Sequence, residues 1–250
     1  MFYYKKTRIF VRLFMNILLS KTLKTMKKSI FTVLAAAIMM VACSQSDKGF
    51  VINGTVEGIE DGDSVFLNEG VFNEEGSLMS ATVVKDGKFE FKGEAVGTKF
   101  VSVTVKHAGE QIARYPFFVE DNILSVTVRP GEEEGSVEGG GENQLLLSAY
   151  YDILTNYMSQ LDEQSVNLED STLDEAKRNE VQQRMDSLAI ELDSVAVQFI
   201  ISKMPSEFSN VVFAPVTQVL PKEMLQILLD AYAEKQPDAS YYKKYLEENK

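Results

Sequence analysis

Two hydrophobic patterns follow each other along the chain after residue 49. Up to residue 140, β-branched and aromatic residues alternate with polar ones between short turn signals, a period of two that is typical of half-buried strands. Seven strands are predicted, over residues 50–56, 64–67, 78–84, 88–92, 99–105, 112–119 and 123–128. Because no helical pattern interrupts them, residues 50–140 are expected to form an antiparallel β-sandwich or open barrel.

One turn in this region is specified by its residues. Asp86-Gly87 lies between two alternating stretches, and Asp-Gly favours a type I′ turn, whose two central residues both need a positive φ. The pair therefore predicts a β-hairpin. Phe89 and Phe91 follow two residues apart, so their rings share one face of the next strand, which we assign to the core.

The pattern changes over residues 141–250. Apolar residues now recur at alternating spacings of four and three, which places them on one stripe of a helix. The first stripe comprises Leu147, Tyr151, Leu154, Met158 and Leu161, and the second comprises Val181, Met185, Leu188, Leu192, Val195 and Phe199. We predict an antiparallel helical hairpin with its turn at residues 167–170. Thr172 and Glu175 have the spacing of a capping box for the second helix, and Pro205 follows its end.

Three shorter helical segments complete the chain. They are predicted at residues 207–219, 222–234 and 239–248, with Pro215, Pro221 and Pro237 at their bounds. The last segment is rich in tyrosine. Together with the strands, these helices predict an α+β protein in which a β-rich domain at 50–140 precedes a helical region at 141–250.

The first 42 residues have the features of a targeting segment. Two lysines follow Met26, and residues 30–42 are almost uniformly apolar. A permanent membrane span needs about 20 residues, so this shorter stretch fits the apolar core of a signal peptide instead. A second apolar run at residues 9–19 precedes it. We therefore expect translation to start at Met26, with an N-terminal anchor as the alternative.

The targeting segment ends in Met40-Val41-Ala42-Cys43, which resembles the bacterial lipobox. Ala42 supplies the small residue before the cleavage site, and the Cys43 thiol would carry diacylglycerol. Cys43 is the only cysteine, and the polar residues that follow it suit a flexible tether. We predict a lipid-anchored protein whose mature chain begins at Cys43, with residues 43–49 as the tether. A signal peptide that contains a cysteine by coincidence is the alternative.

Charge is distributed unevenly along the chain. The first 28 residues hold eight of the 25 Lys and Arg and no acidic residue, which leaves 17 basic against 37 acidic residues from Cys43 onward. Such an acidic body repels phosphate groups. Nucleic-acid partners and direct binding to anionic lipid headgroups are therefore not expected.

Five short segments between residues 50 and 145 carry a family resemblance. They are Ile52–Gly58 (INGTVEG), Asp61–Leu67 (DGDSVFL), Val84–Gly93 (VKDGKFEFKG), Pro116–Asn122 (PFFVEDN) and Val137–Gly140 (VEGG). In order and spacing they resemble the domain of unknown function that follows the lipid anchor in many Bacteroidetes envelope proteins. In most of these a thioredoxin-like, peroxiredoxin-related domain comes next, and we expect this protein to be without it. The resemblance implies a location and an architecture, and no established activity.

Few residues suggest catalysis. A thioredoxin-type reaction needs a reactive thiolate, usually with a second cysteine in Cys-x-x-Cys spacing, and Cys43 is expected to be acylated. His107 is the only histidine, at the predicted end of a strand and without a nucleophile motif, so we interpret it as a strand-edge residue. One histidine also falls short of the usual zinc ligand set. We predict no catalytic residue, no cofactor and no metal.

Two acidic sequences have some features of calcium loops. Asp61-Gly62-Asp63 begins like one, but Phe72 occupies the twelfth position, where an EF-hand needs a bidentate Glu. The three glutamates at 132–134 lie between glycines and indicate a solvated loop, with a weak calcium site as the alternative. Gly139-Gly140-Gly141 lacks the Lys-Ser/Thr that follows in a phosphate-binding loop.

Asp-Ser sequences at four positions are similar to the acceptor pattern for O-glycosylation in Bacteroidetes. They place the serine at Ser64, Ser171, Ser187 and Ser194. The last two also fit the periodicity of the second long helix. Ser171, in the turn between the helices, and Ser64 are therefore the predicted acceptors.

Two functional hypotheses remain. The first is a non-catalytic envelope lipoprotein, anchored in the outer membrane and facing the periplasm, that binds a partner protein or an envelope ligand. The second is an accessory subunit of an envelope thiol–disulfide redox system that acts with a separate thioredoxin-like protein. The second hypothesis predicts an exposed apolar face on the helical hairpin or on the tyrosine-rich segment. A hydrolase is the third, and no spacing singles out a carboxylate pair for it.

Overall fold

The computed structural model describes residues 49–58, 61–70, 77–94, 97–130, 135–169 and 173–249. In these ranges eight strands precede five helices. The strands are β1 (Phe50–Val56), β2 (Ser64–Glu69), β3 (Ser77–Val83), β4 (Lys88–Gly93), β5 (Lys99–His107), β6 (Glu110–Val119), β7 (Ile123–Val128) and β8 (Ser136–Gly139). The helices are α1 (Glu142–Glu169), α2 (Glu175–Ser202), α3 (Glu207–Thr217), α4 (Lys222–Lys235) and α5 (Ser240–Glu248).

The strands form two four-stranded sheets that face each other. Sheet A has the order β4-β1-β7-β8 and sheet B the order β3-β2-β5-β6. Both sheets contribute alternate apolar side chains to one buried core, among them Ile52 and Leu124 from sheet A and Val103 and Phe117 from sheet B. The described strands do not close into a barrel. The predicted α+β class and the sandwich are therefore confirmed.

The pairing within sheet A differs in one respect from a fully antiparallel sheet. β1 and β7 run parallel, with Ile52 opposite Leu124 and Gly54 opposite Val126. The reason is topological, because β2, β3, β5 and β6 all belong to sheet B and the chain re-enters sheet A at β7 in the same direction as β1. All other strand pairs among the described residues are antiparallel.

The seven predicted strands are all present, each within two residues of its predicted ends. β8 was missed, because its four residues Ser-Val-Glu-Gly carry no alternating pattern. Tertiary pairing creates this strand: Val137 lies opposite Val126 of β7, and Gly139 lies opposite Leu124.

The turn at Asp86-Gly87 is confirmed, but the hairpin that it predicts is wrong beyond the turn. Asp86 has a φ of 51° and Gly87 a φ of 69°. A single bridge joins Lys85 to Lys88, and the chain then divides between the sheets, since β3 pairs with β2 and β4 pairs with β1. Pairing with β1 places Phe89 on the inner face of sheet A.

The inner face of β4 is fitted to β1. Phe89 and Phe91 are both buried, as predicted, with their ring centroids 5.6 Å apart. Phe89 lies opposite Gly54, and a Cβ on Gly54 would overlap the Phe89 ring. The glycine in the middle of β1 is therefore explained by the aromatic ring that covers it.

Helices α1 and α2 have 28 residues each and pack along one another as the predicted hairpin. Of the first stripe, Leu147, Leu154 and Leu161 are fully buried; of the second, Met185, Leu188 and Leu192 are buried. Burial of these stripes stabilises the hairpin, since each large apolar side chain contributes about 1.5–3 kcal/mol.

Two predictions at the ends of these helices are wrong. α1 continues to Glu169, so residues 167–169 of the predicted turn are helical. The N-cap of α2 is Asp174, whose Oδ1 accepts a hydrogen bond from the Lys177 backbone N–H at 2.8 Å, and Glu175 is the first helical residue. A carboxylate at this position also interacts favourably with the helix dipole. Thr172 lies outside the described residues.

The sequence predicts that Pro215 bounds a helix. In the structure it lies inside α3. The helix ends two residues later, so the missing proline N–H removes a hydrogen bond only near its C-terminal end. Pro205, in contrast, follows the end of α2 as predicted. None of the described helices carries an apolar stretch long enough to cross a membrane.

The helices and the sandwich share a core at two phenylalanines. Phe100 on β5 and Phe118 on β6 lie opposite each other, with ring centroids 5.0 Å apart. They point away from the sandwich interior and pack with Leu147 and Tyr150 of α1 among the buried residues of the helical core. Helix α1 also contacts β6 and β8, the two strands at one side of the sandwich.

Candidate functional site

A cleft of about 780 Å³ lies on the solvent side of sheet A. Its polar lining residues come from the three strands β1, β4 and β7 and from the turn before β4. They are Asn53, Thr55, Lys85, Lys88, Glu90, Ser125 and Thr127, with Thr82 and Val83 of β3 at the border. All of these strand residues lie within the β-rich part of the chain.

The register of sheet A aligns the polar side chains in two rows. In the first row, Asn53 lies opposite Glu90 on one side and Ser125 on the other. In the second row, Thr55 lies between Lys88 and Thr127 in the same way. Neighbouring strands are about 4.8 Å apart, so each row presents three hydrogen-bonding groups at the spacing of the sheet.

Strand periodicity explains why this face is polar. Along β1, Ile52, Gly54 and Val56 face the core, and Asn53 and Thr55 alternate with them towards solvent. β4 and β7 repeat this alternation in register. Because the inner face is fixed by burial, a slip of one residue would expose the whole apolar set, and the polar rows are therefore held firmly in place.

Charges of both signs border the cleft. Glu90 forms an ion pair with Lys92 at 2.9 Å, and Lys85 and Lys88 lie at the end nearer the turn. The Glu90 and Lys92 side chains are both more than half exposed, so this pair is screened by solvent and contributes little to stability. The protein is acidic, and the two lysines therefore give this face of sheet A charges of both signs.

A second, smaller cleft of about 580 Å³ lies where the chain enters α3 and α5. Its polar groups form hydrogen bonds with one another. Ser206 caps α3 by accepting the Ser209 backbone N–H at 3.0 Å, and Gln236 donates to the Ser206 carbonyl at 2.9 Å. Asn210 accepts the Tyr241 backbone N–H at 3.2 Å. We interpret this cluster as a structural one, whose hydrogen bonds connect the last three helices.

Several buried or half-buried tyrosines have raised pKa values. Burial raises the pKa of Tyr115 to about 12, and it raises the pKa of Tyr151 well above its ordinary value. The pKa of Tyr150 is raised by burial and by the nearby Asp193 carboxylate. These phenols pack between the sandwich and the helices, where burial disfavours the charged tyrosinate.

The tyrosine-rich segment predicted at the C-terminus folds back onto the helices. Tyr242 is buried, and its ring lies 5.7 Å from that of Phe213; Tyr245 packs on the same ring at 5.6 Å. Its tyrosines therefore do not form the exposed apolar face that the accessory hypothesis predicts there. On the hairpin, the exposed large apolar side chains are Leu145, Val166 and Ile190.

His107 lies at the end of β5 and is exposed, as expected for a strand-edge residue. Its Nδ1 lies 2.9 Å from Oδ1 of Asp63, a pairing that the sequence analysis missed because the two residues are 44 positions apart. Asp63 belongs to the Asp61-Gly62-Asp63 sequence that begins like a calcium loop. Among the described residues, no three His, Asp or Glu side chains come together as a metal site.

The predicted modification sites are only partly described. Ser64 begins β2, where it lies between β3 and β5 and is half-buried. Cys43, Ser171 and the glutamates at 132–134 lie outside the described residues. The predictions of lipidation and of glycosylation stay predictions.

The β-rich part of the chain matches a known family. Residues 50–146 match the model of the Domain of unknown function (DUF4369). The match includes all eight strands and the first residues of α1, and it therefore contains the whole cleft on sheet A. It supports the domain of unknown function that the five short segments suggested. No curated protein matches the chain.

Proposed function

We propose that this protein is a non-catalytic binding module of the bacterial cell envelope, held at the outer membrane by a lipid on Cys43. Its binding surface is the cleft on sheet A. The ligand is a polar envelope polymer that carries hydroxyl and amide groups and that lies across β4, β1 and β7.

The two polar rows are the observation that supports this proposal. Asn53, Ser125, Thr55 and Thr127 offer amide and hydroxyl groups that both donate and accept hydrogen bonds, on strands whose register is fixed by the core. Such groups suit a ligand with alternating donors and acceptors. Because the strands are rigid, the ligand binds without ordering a loop, which lowers the entropic cost of binding.

The anchor and the cleft act together in this proposal. A lipid at Cys43 followed by a short polar tether keeps the sandwich close to the membrane, and this raises the effective concentration of the module at an envelope polymer. Weak contacts in the cleft are then sufficient to keep the module bound to the polymer. The acidic body contributes solubility and keeps the module away from anionic headgroups.

Sedimentation with purified peptidoglycan sacculi tests the cleft. The sacculi carry hydroxyl and amide groups and pellet with any protein that they bind. We expect the wild-type chain to pellet and the double variant Asn53→Ala, Ser125→Ala to lose affinity by about thirtyfold, since each of the two lost hydrogen bonds is worth about 1 kcal/mol.

The matched control removes one amide and one hydroxyl from the exposed face of α2, as Gln183→Ala with Ser187→Ala. Both of these residues are exposed and lie outside the cleft. Equal losses in the two double variants, or a wild-type chain that stays in the supernatant, would contradict the proposed ligand.

The anchor is tested separately by metabolic labelling with an alkyne fatty acid and by membrane fractionation. We expect label and membrane association in the wild type and loss of the label in Cys43→Ser. If the wild type takes up no label, or Cys43→Ser takes up as much as the wild type, the lipid anchor is wrong, whatever the sacculi experiment shows.

A further inference from the structure

The cleft on sheet A ends at two lysines whose backbone positions are fixed by a turn. Lys85 and Lys88, called the lysine pair below, flank Asp86 and Gly87, and the backbone N–H of each donates to the carbonyl of the other, at 2.9 and 3.0 Å. A third hydrogen bond, from the Val56 N–H to the Gly87 carbonyl at 2.9 Å, attaches the turn to the end of β1. The lysine side chains therefore begin from a turn that three backbone hydrogen bonds hold in place.

Both side chains of the lysine pair project to the same face. Residues opposite each other in an antiparallel pair have Cβ atoms about 4.5–5.5 Å apart on one face of the sheet. Lys88 is exposed next to the buried Phe89, so this face is the solvent side of sheet A. Like charges directly opposite each other are destabilising. The turn thus places two positive charges close together, an arrangement that by itself weakens the fold.

The lysine pair extends the second polar row of the cleft. In order across the strands, the extended row consists of Lys85, Lys88, Thr55 and Thr127, each opposite the next. All four residues line the cleft. At about 4.8 Å between neighbours the row is roughly 14 Å long. Ammonium and hydroxyl groups all donate hydrogen bonds, so the row offers donors along its whole length and positive charge at one end only.

The charge of the lysine pair is not neutralised by an ion pair within the described residues. Glu90, the carboxylate that lines the cleft, pairs with Lys92 at 2.9 Å, and no described carboxylate pairs with Lys85 or Lys88. The turn and β4 together hold three lysines against two carboxylates. This end of the cleft therefore has a net charge of +1, although the whole chain has a net charge of −12.

We propose that the lysine pair binds a carboxylate of the ligand, and that the envelope polymer in the cleft is therefore an acidic one. The inference rests on the proposed function, because it specifies the ligand of the same cleft. A carboxylate between the two ammonium groups accepts a hydrogen bond from each and offsets their repulsion. The neighbouring hydroxyl or amide groups of the polymer then lie along Thr55 and Thr127.

The local charge favours a carboxylate over a phosphate or a lipid surface. One carboxylate matches the net charge of +1, whereas a phosphate monoester carries about −1.5 to −2 at neutral pH. Charges are screened over about 8 Å at physiological ionic strength, so a group at the lysine pair interacts mainly with the turn and β4. A plane of anionic headgroups would also face the acidic body, but a single polymer strand contacts the cleft alone. Peptidoglycan stem peptides and polysaccharides with uronic acids both carry such carboxylates.

Sedimentation with amidated sacculi tests the charge separately from the cleft. Carbodiimide and ammonium convert the carboxylates to amides, which removes the negative charge and keeps the size of the polymer. We expect the full chain to pellet with native sacculi and to bind amidated sacculi about tenfold more weakly, since two exposed ion pairs are lost. Equal binding to both forms would overturn the acidic ligand and leave the proposed binding function intact.

Polygalacturonate beads, native and amidated, are the second probe. Binding to native beads and not to native sacculi, with the loss on amidation, would support the proposed carboxylate and identify a uronic acid as its source; peptidoglycan would then be wrong as the ligand of the cleft. A chain that binds neither native polymer would overturn the acidic ligand.

Substitution of the lysine pair locates the charge that matters. We expect Lys85→Gln with Lys88→Gln to weaken binding to the native polymer about tenfold and to leave binding to the amidated polymer unchanged. Lys85→Arg with Lys88→Arg keeps both charges and should retain most of the affinity. The matched control is Lys243→Gln with Lys244→Gln on α5, where both side chains are exposed and the net charge falls by the same amount. Equal losses in the two glutamine variants would overturn the proposal.

Salt and stability give two further measurements. Added NaCl should weaken binding of the wild type and change that of the glutamine variant of the lysine pair much less, because the charge-dependent contact is already absent. Wild-type binding that does not respond to salt would contradict the ion pair. Both lysines are exposed, so the variant retains its fold, and its thermal midpoint should be equal to or above that of the wild type because a like-charge pair is removed. Circular dichroism measures both.

Discussion

The Oδ1 atom of Asn143 accepts a hydrogen bond from the backbone N–H of Phe208 at 2.8 Å, across 65 residues of sequence. The Nδ2 atom of the same side chain donates to Oε1 of Glu120 at 2.8 Å, and Thr98 donates to that oxygen at 2.9 Å. One asparagine in the first turn of α1 therefore ties the end of β6 to the start of α3. The next residue, Gln144, accepts the backbone N–H of Phe118 at 2.9 Å.

We expect Asn143→Ala to lower the free energy of unfolding by roughly 1–3 kcal/mol, because it leaves the Phe208 N–H and the Glu120 carboxylate without this partner. Urea unfolding followed by circular dichroism measures the change. Asn156→Ala, at an exposed position on the same helix, serves as the control and should change stability by less than about 0.5 kcal/mol. Equal effects of the two substitutions would show that Asn143 does not connect the two parts.

Gly54 and Phe89 provide a test of packing inside the sandwich. A Cβ at residue 54 would overlap the Phe89 ring, so Gly54→Ala should destabilise the protein by about 1–3 kcal/mol through overpacking. Phe89→Ala should cost about 3–5 kcal/mol because it leaves a cavity. In the double variant the new methyl group enters that cavity, and the total loss should be smaller than the sum of the two single losses. Simple additivity would mean that the two side chains do not compete for the same space.

Much of the fold could be predicted because burial imposes a period on the sequence. The strands from β1 to β7 and the stripes of α1 and α2 all bury one face, and their alternating or helical spacing is visible in the residues themselves. β8 could not be predicted in this way, since its four residues form a strand only because β7 offers them a partner.

The pairing of strands into sheets, and the hydrogen bonds that connect separate elements, could be identified only from the three-dimensional structure. The Asp86-Gly87 turn is local and was predicted correctly, but the pairing of β4 with β1 depends on residues about 40 positions apart. The same holds for the cleft, whose rows combine β1 with β4 and β7. Asn53 and Thr55 were visible as outward-facing residues of one strand, and nothing in the sequence indicated that Ser125 and Thr127 lie beside them.

Asp174 allows a direct test of where α2 begins. Asp174→Ala removes the acceptor for the Lys177 N–H and should lower the free energy of unfolding by about 1 kcal/mol. Asp174→Asn keeps a capping oxygen and should retain most of that stability. Thermal unfolding of both variants measures the difference. If the alanine variant is as stable as the asparagine variant, the side chain does not cap this helix.

The tyrosines with raised pKa values predict how stability changes at alkaline pH. Burial raises the pKa of Tyr115 from 10.0 to about 12 in the folded chain, so the unfolded chain loses this proton first as the pH rises. The stabilising effect of the neutral phenol is complete below pH 10 and is lost progressively as the pH rises towards 12. Tyr150, Tyr151 and Tyr232 are shifted in the same direction and add to the loss.

Absorbance at 295 nm reports tyrosinate. For these rings we therefore expect it to rise above pH 10, together with the loss of the circular dichroism signal of the folded chain. Tyr115→Phe removes one ionisable group from the unfolded chain and should flatten the fall in stability between pH 10 and 12. Tyr157→Phe, at a half-buried position on α1, is the comparison variant. If Tyr115→Phe leaves the slope of stability against pH unchanged, this phenol ionises as readily in the folded chain as in the unfolded one, and its burial between the sandwich and α1 is wrong.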